Sequence, residues 1–237
     1  MERCKSKGSY TDRKGERTLN KYYCTVKTHS DKPTEFSAQS EWGYKWMKDT
    51  VTYSIIRGTE DMAGDTTERL AVNLAMTTWE AEIPLKLKWV KRDDNPDITI
   101  EFRPKSEDDL FLKSPNILAY AYFPNTSRQG EIVFNDAYIW GPKEAVVNVT
   151  NPDGSVSRVK QYNVIQTLIH EIGHSLGLTH SDGDTCKECV MHWSYNGQIN
   201  LAPLDISRIQ EKYGKRSWAD QRYANFKKWL ALRKVRF

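Results

Sequence analysis

Three of the five histidines lie within eleven residues, in the segment HEIGHSLGLTH. His170 and His174 are four residues apart, so on a helix their imidazoles project from one face and can share one cation. Gly177 can adopt the left-handed conformation that ends a helix, which turns the chain back and brings His180 toward the same ion. The spacing therefore predicts a metal site whose ligands are His170, His174 and His180.

Three protein ligands leave a fourth coordination position open, which is typical of catalytic zinc sites, because structural zinc sites are closed by four ligands. Glu171 directly follows the first ligand, so its carboxylate can reach a water on the metal without occupying a metal position. Zinc lowers the pKa of such a water from 15.7 toward ~7, and a neighbouring carboxylate can then act as the general base. The motif predicts one catalytic Zn²⁺ with Glu171 as the catalytic base.

The pattern HExxHxxGxxH followed by a methionine resembles that of the metzincin metallopeptidases. The methionine here is Met191, in the segment CVMHWSY. Within that clan the chain is most similar to the matrixins, the matrix-metalloproteinase-like family, over residues 42–214. The segments NILAYAYFP and LDISRIQEKYG carry this likeness further along the chain.

The resemblance implies a zinc endopeptidase that hydrolyses peptide bonds of protein substrates. It places Met191 in a tight turn beneath the zinc, Leu118 and Ala119 on the edge strand that binds substrate backbone, and Tyr195 in the wall of the specificity pocket. Two alternatives stay open. One is a catalytically vestigial binding protein with the metzincin fold, and the other is an archaemetzincin-like aminopeptidase with a second, cysteine-bound zinc.

The sequence departs from the matrixins where that family binds a structural zinc and calcium. Tyr120 and Val133 stand at the positions of two zinc-binding histidines, and Asn135 and Tyr138 stand at those of calcium-binding carboxylates. We therefore expect a single catalytic zinc and leave calcium open. The PRCGxPD motif, with which matrixins block their zinc, is absent from this sequence.

The elements that must position the site are predicted from hydrophobic periodicity and turn signals. The resemblance and these elements together imply an α+β fold: a twisted, mostly parallel five-stranded sheet, an active-site helix, and a small C-terminal subdomain after the zinc-binding helix. Strands are predicted over residues 48–55, 85–90, 97–102, 116–123 and 131–134, and helices over 65–80, 162–178 and 203–213. Residues 141–160, with their Gly, Pro, Asn and Asp clusters, are predicted to be a loop.

Composition and the distribution of charge along the chain indicate how it is divided into domains. With 38% hydrophobic and 28% charged residues, the 237-residue chain is too apolar for a disordered protein, and no apolar run approaches the ~20 residues of a membrane span. The two ends are basic and the middle is acidic. We divide the chain into a polar N-terminal extension (1–40), a metzincin zinc-peptidase domain (41–214) and a basic amphipathic tail (215–237).

The tail carries eight Lys and Arg residues and one Asp. Tyr223, Phe226 and Leu230 share one helical face, so we expect a basic amphipathic helix whose aromatic side chains pack on the catalytic domain. Attachment to an anionic membrane or an acidic partner stays open, whereas nucleic acid is not an expected partner. We expect the protein to be a monomer.

Four cysteines allow three pairings, among which the sequence does not choose. Cys4 and Cys24 lie in the extension, and Cys186 and Cys189 lie just before Met191. The even number favours disulfides and, with them, an extracellular or secreted protein, although the chain begins without an apolar signal segment. A zinc site built on the CKEC segment, or a Cys4 thiolate that blocks the catalytic zinc, remains as an alternative.

Overall fold

The computed structural model describes residues 23–27, 43–62, 65–181 and 185–234, and for residues 23–27, 65 and 66 only the backbone. Its main sheet contains the five predicted strands and one more. These are β1 (Tyr23–Lys27), β2 (Thr50–Arg57), β3 (Lys86–Trp89), β4 (Ile98–Arg103), β5 (Ile117–Tyr122) and β6 (Glu131–Asn135). Their order is β1-β5-β6-β4-β2-β3, and every pair of neighbours is parallel except β5 and β6.

The helices are α1 (Asp65–Glu80), α2 (Asp109–Lys113), α3 (Val164–Ser175), α4 (Pro203–Tyr213) and α5 (Trp218–Lys234). Two 3₁₀ turns, Arg92–Asp94 and Lys105–Glu107, lie between the strands. Helices α1 and α3 pack on each other, and the main core joins them to the sheet. A smaller cluster contains Tyr120, Val133 and Phe111, on the other face of β5 and β6. The predicted α+β fold with a mostly parallel sheet and an active-site helix is confirmed.

The residues predicted to be a loop contain most of a second sheet. Its strands are β7 (Ile139–Gly141), β8 (Ala145–Thr150) and β9 (Val156–Asn163), in the order β7-β9-β8. The prediction for residues 141–160 was wrong because only NPDG at 151–154 forms the hairpin turn, where Gly154 has φ +80°, whereas Gly141 and Asn148 lie within strands. On either side the chain pairs as an antiparallel hairpin.

After Gly177 the chain forms the small C-terminal part that was predicted, with Met191, α4 and then α5. The tail is helical as expected, but the prediction that its aromatic side chains pack on the catalytic domain was wrong. Tyr223, Phe226 and Leu230 are 67%, 52% and 38% exposed. The face turned toward α1 carries alanines instead, because small side chains let two helices approach closely. No helix among the described residues has both the length and the apolar composition to span a bilayer.

Candidate metal centre

Helix α3 carries two of the three predicted ligands, His170 and His174, and is buried along its whole length. It begins at Asn163, whose side chain accepts hydrogen bonds from the backbone N–H groups of Ile165 and Gln166, a regular N-cap. Two indoles fix the helix from outside: Trp79 donates to the carbonyl of Ile169 and Trp46 to that of Ser175, each at 2.8 Å. These long-range bonds hold the helix at a defined position over the sheet.

The end of α3 is sharp, as the sequence predicted. Gly177 has φ +95°, and the N–H of Leu178 bonds the carbonyl of Gly173 at 2.9 Å, which reverses the chain. A Cβ at position 177 would lie 1.9 Å from the carbonyl oxygen of Tyr44, so glycine is required for space as well as for conformation. The reversed chain then carries His180 back to the helix.

The three predicted ligands converge on one point. The distances between their Nε2 atoms are 3.0 Å for His170 and His174, 3.1 Å for His174 and His180, and 3.3 Å for His170 and His180. Among the residues that the structure describes, they form the one group of three or more His, Cys, Asp or Glu side chains close enough to hold a metal ion.

The outer ring nitrogens assign the tautomers of two of these histidines. His170 Nδ1 lies 2.6 Å from the carbonyl of Val190, and His174 Nδ1 lies 2.6 Å from that of Leu178. A carbonyl only accepts, so each Nδ1 carries the hydrogen and each Nε2 presents a lone pair. Lone pairs facing each other at this distance repel unless a cation lies between them.

Burial keeps the three imidazoles neutral. It lowers the pKa of His170 to about 4. Burial, with the neighbouring imidazoles, also lowers the pKa values of His174 and His180 well below the ordinary value. Neutral imidazole is the form that binds a metal. A tetrahedral ion with Zn–N bonds of 2.0–2.1 Å needs nitrogens ~3.3 Å apart, so the donor set fits zinc.

Glu171 and Met191, two further predicted site residues, are buried within α3 and against it. Glu171 follows His170 on the same helical turn, and its side chain is fully buried. Met191 is also fully buried, and its sulfur would lie 2.3 Å from a Cβ at position 173. Gly173 therefore allows the methionine to pack directly against the turn of α3 between the first two ligands.

Asp205 supports this site and was missed by the sequence analysis. Its fully buried carboxylate accepts hydrogen bonds from the N–H groups of Val190 at 2.8 Å, Met191 at 3.3 Å and Ala202 at 2.9 Å. It thus fixes the segment whose carbonyl orients His170. The available signal was an acidic residue two positions after Pro203, at the start of α4, which favours a helix N-terminus but names no distant partner.

The predicted substrate-binding residues lie on two sides of α3. Leu118 and Ala119 are buried in β5, which contacts α3. The Tyr195 hydroxyl accepts the N–H of Asn163 at 3.0 Å, and its ring lies 5.5 Å from that of Tyr162. The outer edge of β5, however, pairs with β1, and the irregularity in their register lies opposite Leu118 and Ala119.

Of the four cysteines, the structure joins Cys186 and Cys189 in a disulfide. Sulfurs in a disulfide are not thiolates, so this pair does not form the alternative CKEC zinc site. Cys4 and the side chain of Cys24 lie outside the described residues.

The positions that depart from the matrixin pattern bond protein groups. The Tyr120 hydroxyl donates to Asp108 at 2.6 Å, and Asn135 donates to the carbonyl of Ile117 at 3.2 Å. Tyr138 donates to the carbonyl of Pro115, and Val133 is fully buried.

Comparisons with known proteins agree with this geometry. A family model described as Matrixin matches residues 45–214. The chain is 35% identical to matrilysin of Felis catus over 179 residues, which are 73% of this chain and 61% of that protein. It is 29% identical to matrix metalloproteinase-26 of Homo sapiens over 205 residues, 85% of this chain and 70% of the relative. It is 30% identical to stromelysin-1 of Equus caballus over 177 residues, which are 72% of this chain and 33% of that protein.

Proposed function

The chain belongs to the matrixin family, and on that premise we propose that it is a zinc-dependent endopeptidase acting on protein substrates. The observation that carries the proposal is the convergence of three neutral imidazoles within 3.3 Å, two of them held by backbone carbonyls so that Nε2 faces inward. Because the chain spans 61% of the length of cat matrilysin, the activity is inferred from this site.

His170, His174 and His180 would hold the zinc. When bound, zinc supplies Lewis acidity, which polarises the scissile carbonyl and lowers the pKa of water toward ~7. Glu171 takes the proton from the attacking water and delivers it to the leaving nitrogen. Its full burial strengthens this role, because a carboxylate shielded from bulk solvent transfers the proton to the substrate rather than to the medium.

The proposed substrate site extends along β5, where Leu118 and Ala119 would bind peptide backbone, and to Tyr195, which would line the specificity pocket. The hydrogen bond from Asn163 to the Tyr195 hydroxyl supports this placement, because it fixes the tyrosine beside the start of α3. In this structure the same edge of β5 is paired with β1. Substrate backbone and β1 would therefore compete for one set of hydrogen bonds.

A paired substitution in β1 tests this competition in the full chain. Thr25→Pro with Val26→Pro removes two successive N–H groups, and because these point to opposite sides of a strand, at least one bond to β5 is lost. We expect a higher kcat/KM on peptides than for the parent chain. Thr25→Val with Val26→Thr is the control, because it keeps strand formers at both positions. Equal kcat/KM for the two variants would show that β1 does not limit access.

The central test compares Glu171→Gln with the parent chain. We expect one zinc per chain in both proteins, and a loss of peptide cleavage of about 10³-fold or more in the variant, since general acid–base catalysis contributes ~10²–10⁴-fold. Glu188→Gln, an exposed carboxylate next to the disulfide, is the matched control. Zinc binding without cleavage by the parent and by the β1 variant would favour the vestigial binding protein.

Peptides with free and blocked N-termini separate an endopeptidase from the aminopeptidase alternative. We expect cleavage within both kinds of peptide. Cleavage restricted to free N-termini, together with two zinc ions per chain, would favour the archaemetzincin-like function. The disulfide between Cys186 and Cys189 supports the endopeptidase.

The remaining features are also proposals. We propose that the protein acts outside the cell, which the disulfide supports, since disulfides persist in oxidising compartments. We also propose that it is a monomer. We retain residues 41–214 as the catalytic unit, flanked by the two extensions. Calcium has no assigned role.

A further inference from the structure

Helix α5 presents large apolar side chains to solvent. Trp218 is 73% exposed, Phe226 52% and Trp229 45%. Its buried side chains are two alanines, Ala224 and Ala231. The outward side chains form a continuous face, which we call the aromatic face. It consists of Trp218, Tyr223, Phe226, Trp229 and Leu230.

The helix is held on the domain by polar contacts. Lys227 donates to Glu80 of α1 at 2.9 Å, and the Gln221 amide lies 3.4 Å from the carboxylate of Glu82. Burial lowers the pKa of Lys228, while the charge of Glu82 raises it. Alanines and Lys227 thus occupy the inward side, and aromatic residues the outward side. An ordinary surface helix buries its large apolar side chains instead.

Two arginines lie within the aromatic face. The Arg222 guanidinium is 5.0 Å from the ring centre of Trp218, and that of Arg233 is 4.0 Å from the ring centre of Trp229. The single acidic residue of the tail, Asp220, accepts the Ser217 hydroxyl at 2.6 Å. The outward surface is therefore both apolar and positively charged.

We propose that the aromatic face binds an anionic phospholipid surface. Tryptophan and tyrosine prefer the level of lipid headgroups, and arginines beside them attract anionic lipids. A helix lying in the membrane plane buries one apolar side along its length, as the row from Trp218 to Leu230 would. An acidic surface without an apolar groove, or a nucleic-acid duplex with its bases stacked inside, would meet the charge but would leave much of this aromatic row in water.

The position of α5 is compatible with activity at a membrane. The helix packs on α1, whereas the histidines lie on and after α3. Lipid would therefore contact a side of the domain that does not carry the metal ligands. The inference is independent of the proposed peptidase activity.

Vesicle co-sedimentation of the full chain tests the proposal. We expect binding to phosphatidylcholine vesicles with about 30% phosphatidylserine, no binding to pure phosphatidylcholine, and weaker binding when salt rises from about 50 to 500 mM. Arg222→Gln with Arg233→Gln should lower the partition coefficient ~25-fold, at ~5-fold for each charge. Lys143→Gln with Arg158→Gln removes the same charge near the β8–β9 hairpin and should change binding far less.

The apolar contribution needs its own variant. Trp218→Ser, Phe226→Ser and Trp229→Ser together should abolish sedimentation, whereas Val146→Ser with Val156→Ser, exposed residues of the hairpin, should not. Circular dichroism checks that each variant is folded. The proposal would be overturned if both tail variants sediment like the parent, or if the parent binds an acidic peptide or RNA but no vesicles.

Discussion

Two buried polar clusters lie on opposite faces of β5, and they are satisfied in different ways. In the metal centre, His170 and His174 turn acceptor nitrogens toward each other at 3.0 Å, and His180 Nε2 lies within 3.3 Å of both. In the second cluster, which we call the Arg103 cluster, donors meet acceptors. It consists of Glu101, Arg103, Asp108 and Tyr120.

The Arg103 cluster contains direct protein–protein bonds throughout. Arg103 contacts Glu101 at 2.5 Å and Asp108 at 2.9 Å, and Tyr120 donates to Asp108 at 2.6 Å. Burial, with the Asp108 carboxylate, raises the pKa of Tyr120, so the phenol remains a donor. Polar groups whose donors meet acceptors directly need no ion, whereas lone pairs that face each other need one. The chemistry of the side chains therefore distinguishes the metal centre from the Arg103 cluster, which is held by protein groups alone.

The largest effect should come from removing an acceptor in the Arg103 cluster. Asp108→Ala leaves Arg103 with one fewer carboxylate and removes the cap that accepts from Leu110 and Phe111. We expect a loss of ~3–5 kcal/mol in the free energy of unfolding, measured by urea denaturation of the zinc-loaded chain. Asp109→Ala, an exposed neighbour, is the control. Similar losses in both variants would mean that the cluster is not a unit.

Removing the metal should destabilise the protein through the metal centre. With zinc at ~100–1,000 times its Kd, removal by a chelator should lower the free energy of unfolding by about 3–4 kcal/mol. Calorimetry would show this as a lower Tm, restored by Zn²⁺. Ca²⁺ added to the zinc-loaded chain should leave Tm unchanged, because Asn135 and Tyr138 bond protein groups. A rise in Tm with Ca²⁺ would reveal a second ion site, and the metal centre would then not be the one site that needs an ion among the described residues.

A smaller effect should follow from loosening the support of the metal centre. In Asp205→Asn an amide replaces a carboxylate that accepts three N–H groups, so the Val190 carbonyl that orients His170 shifts. We expect zinc affinity to fall ~10–100-fold, as for other residues that orient metal ligands. Competition with a chromogenic chelator measures it, with Glu211→Gln on the same helix as control. Unchanged affinity would limit Asp205 to a folding role.

The sequence predicted the metal centre better than the contacts that support it. All three ligands and Glu171 fall in one segment with helical spacing, so local geometry brings two of them together and a single glycine brings the third. Asp205 lies 25 residues beyond His180, and its role depends on tertiary contacts that no local pattern encodes. Five of the nine described strands were predicted to within about two residues, since β-branched runs bounded by turns are local signals.

The two wrong predictions, on residues 141–160 and on the packing of the tail, also concern features that local patterns do not determine. The β8–β9 hairpin is polar, and the residues of β8 alternate between half-buried and exposed. The Gly, Pro, Asn and Asp residues nearby indicated a loop more strongly than this weak alternation indicated a strand. In α5 the aromatic stripe was correctly placed on one helical face, but periodicity does not say which face meets the domain. The packing of Ala224 and Ala231, together with the contact between Lys227 and Glu80, decides that, and these contacts join residues far apart in the chain.

The smallest effect should come from Tyr120→Phe, which also tests whether the Arg103 cluster and the metal centre are energetically independent. The ring stays packed against Phe111 and only the hydroxyl is lost, so we expect ~1–2 kcal/mol in the free energy of unfolding. In double-mutant cycles, Tyr120→Phe should couple with Asp108→Asn, whose carboxylate accepts that hydroxyl, and should add independently to Asp205→Asn. Zinc affinity should not change, because Tyr120 and α3 lie on opposite faces of β5. Coupling to Asp205 instead would show that strain in one cluster reaches the other through the strand, and the two would then form a single unit.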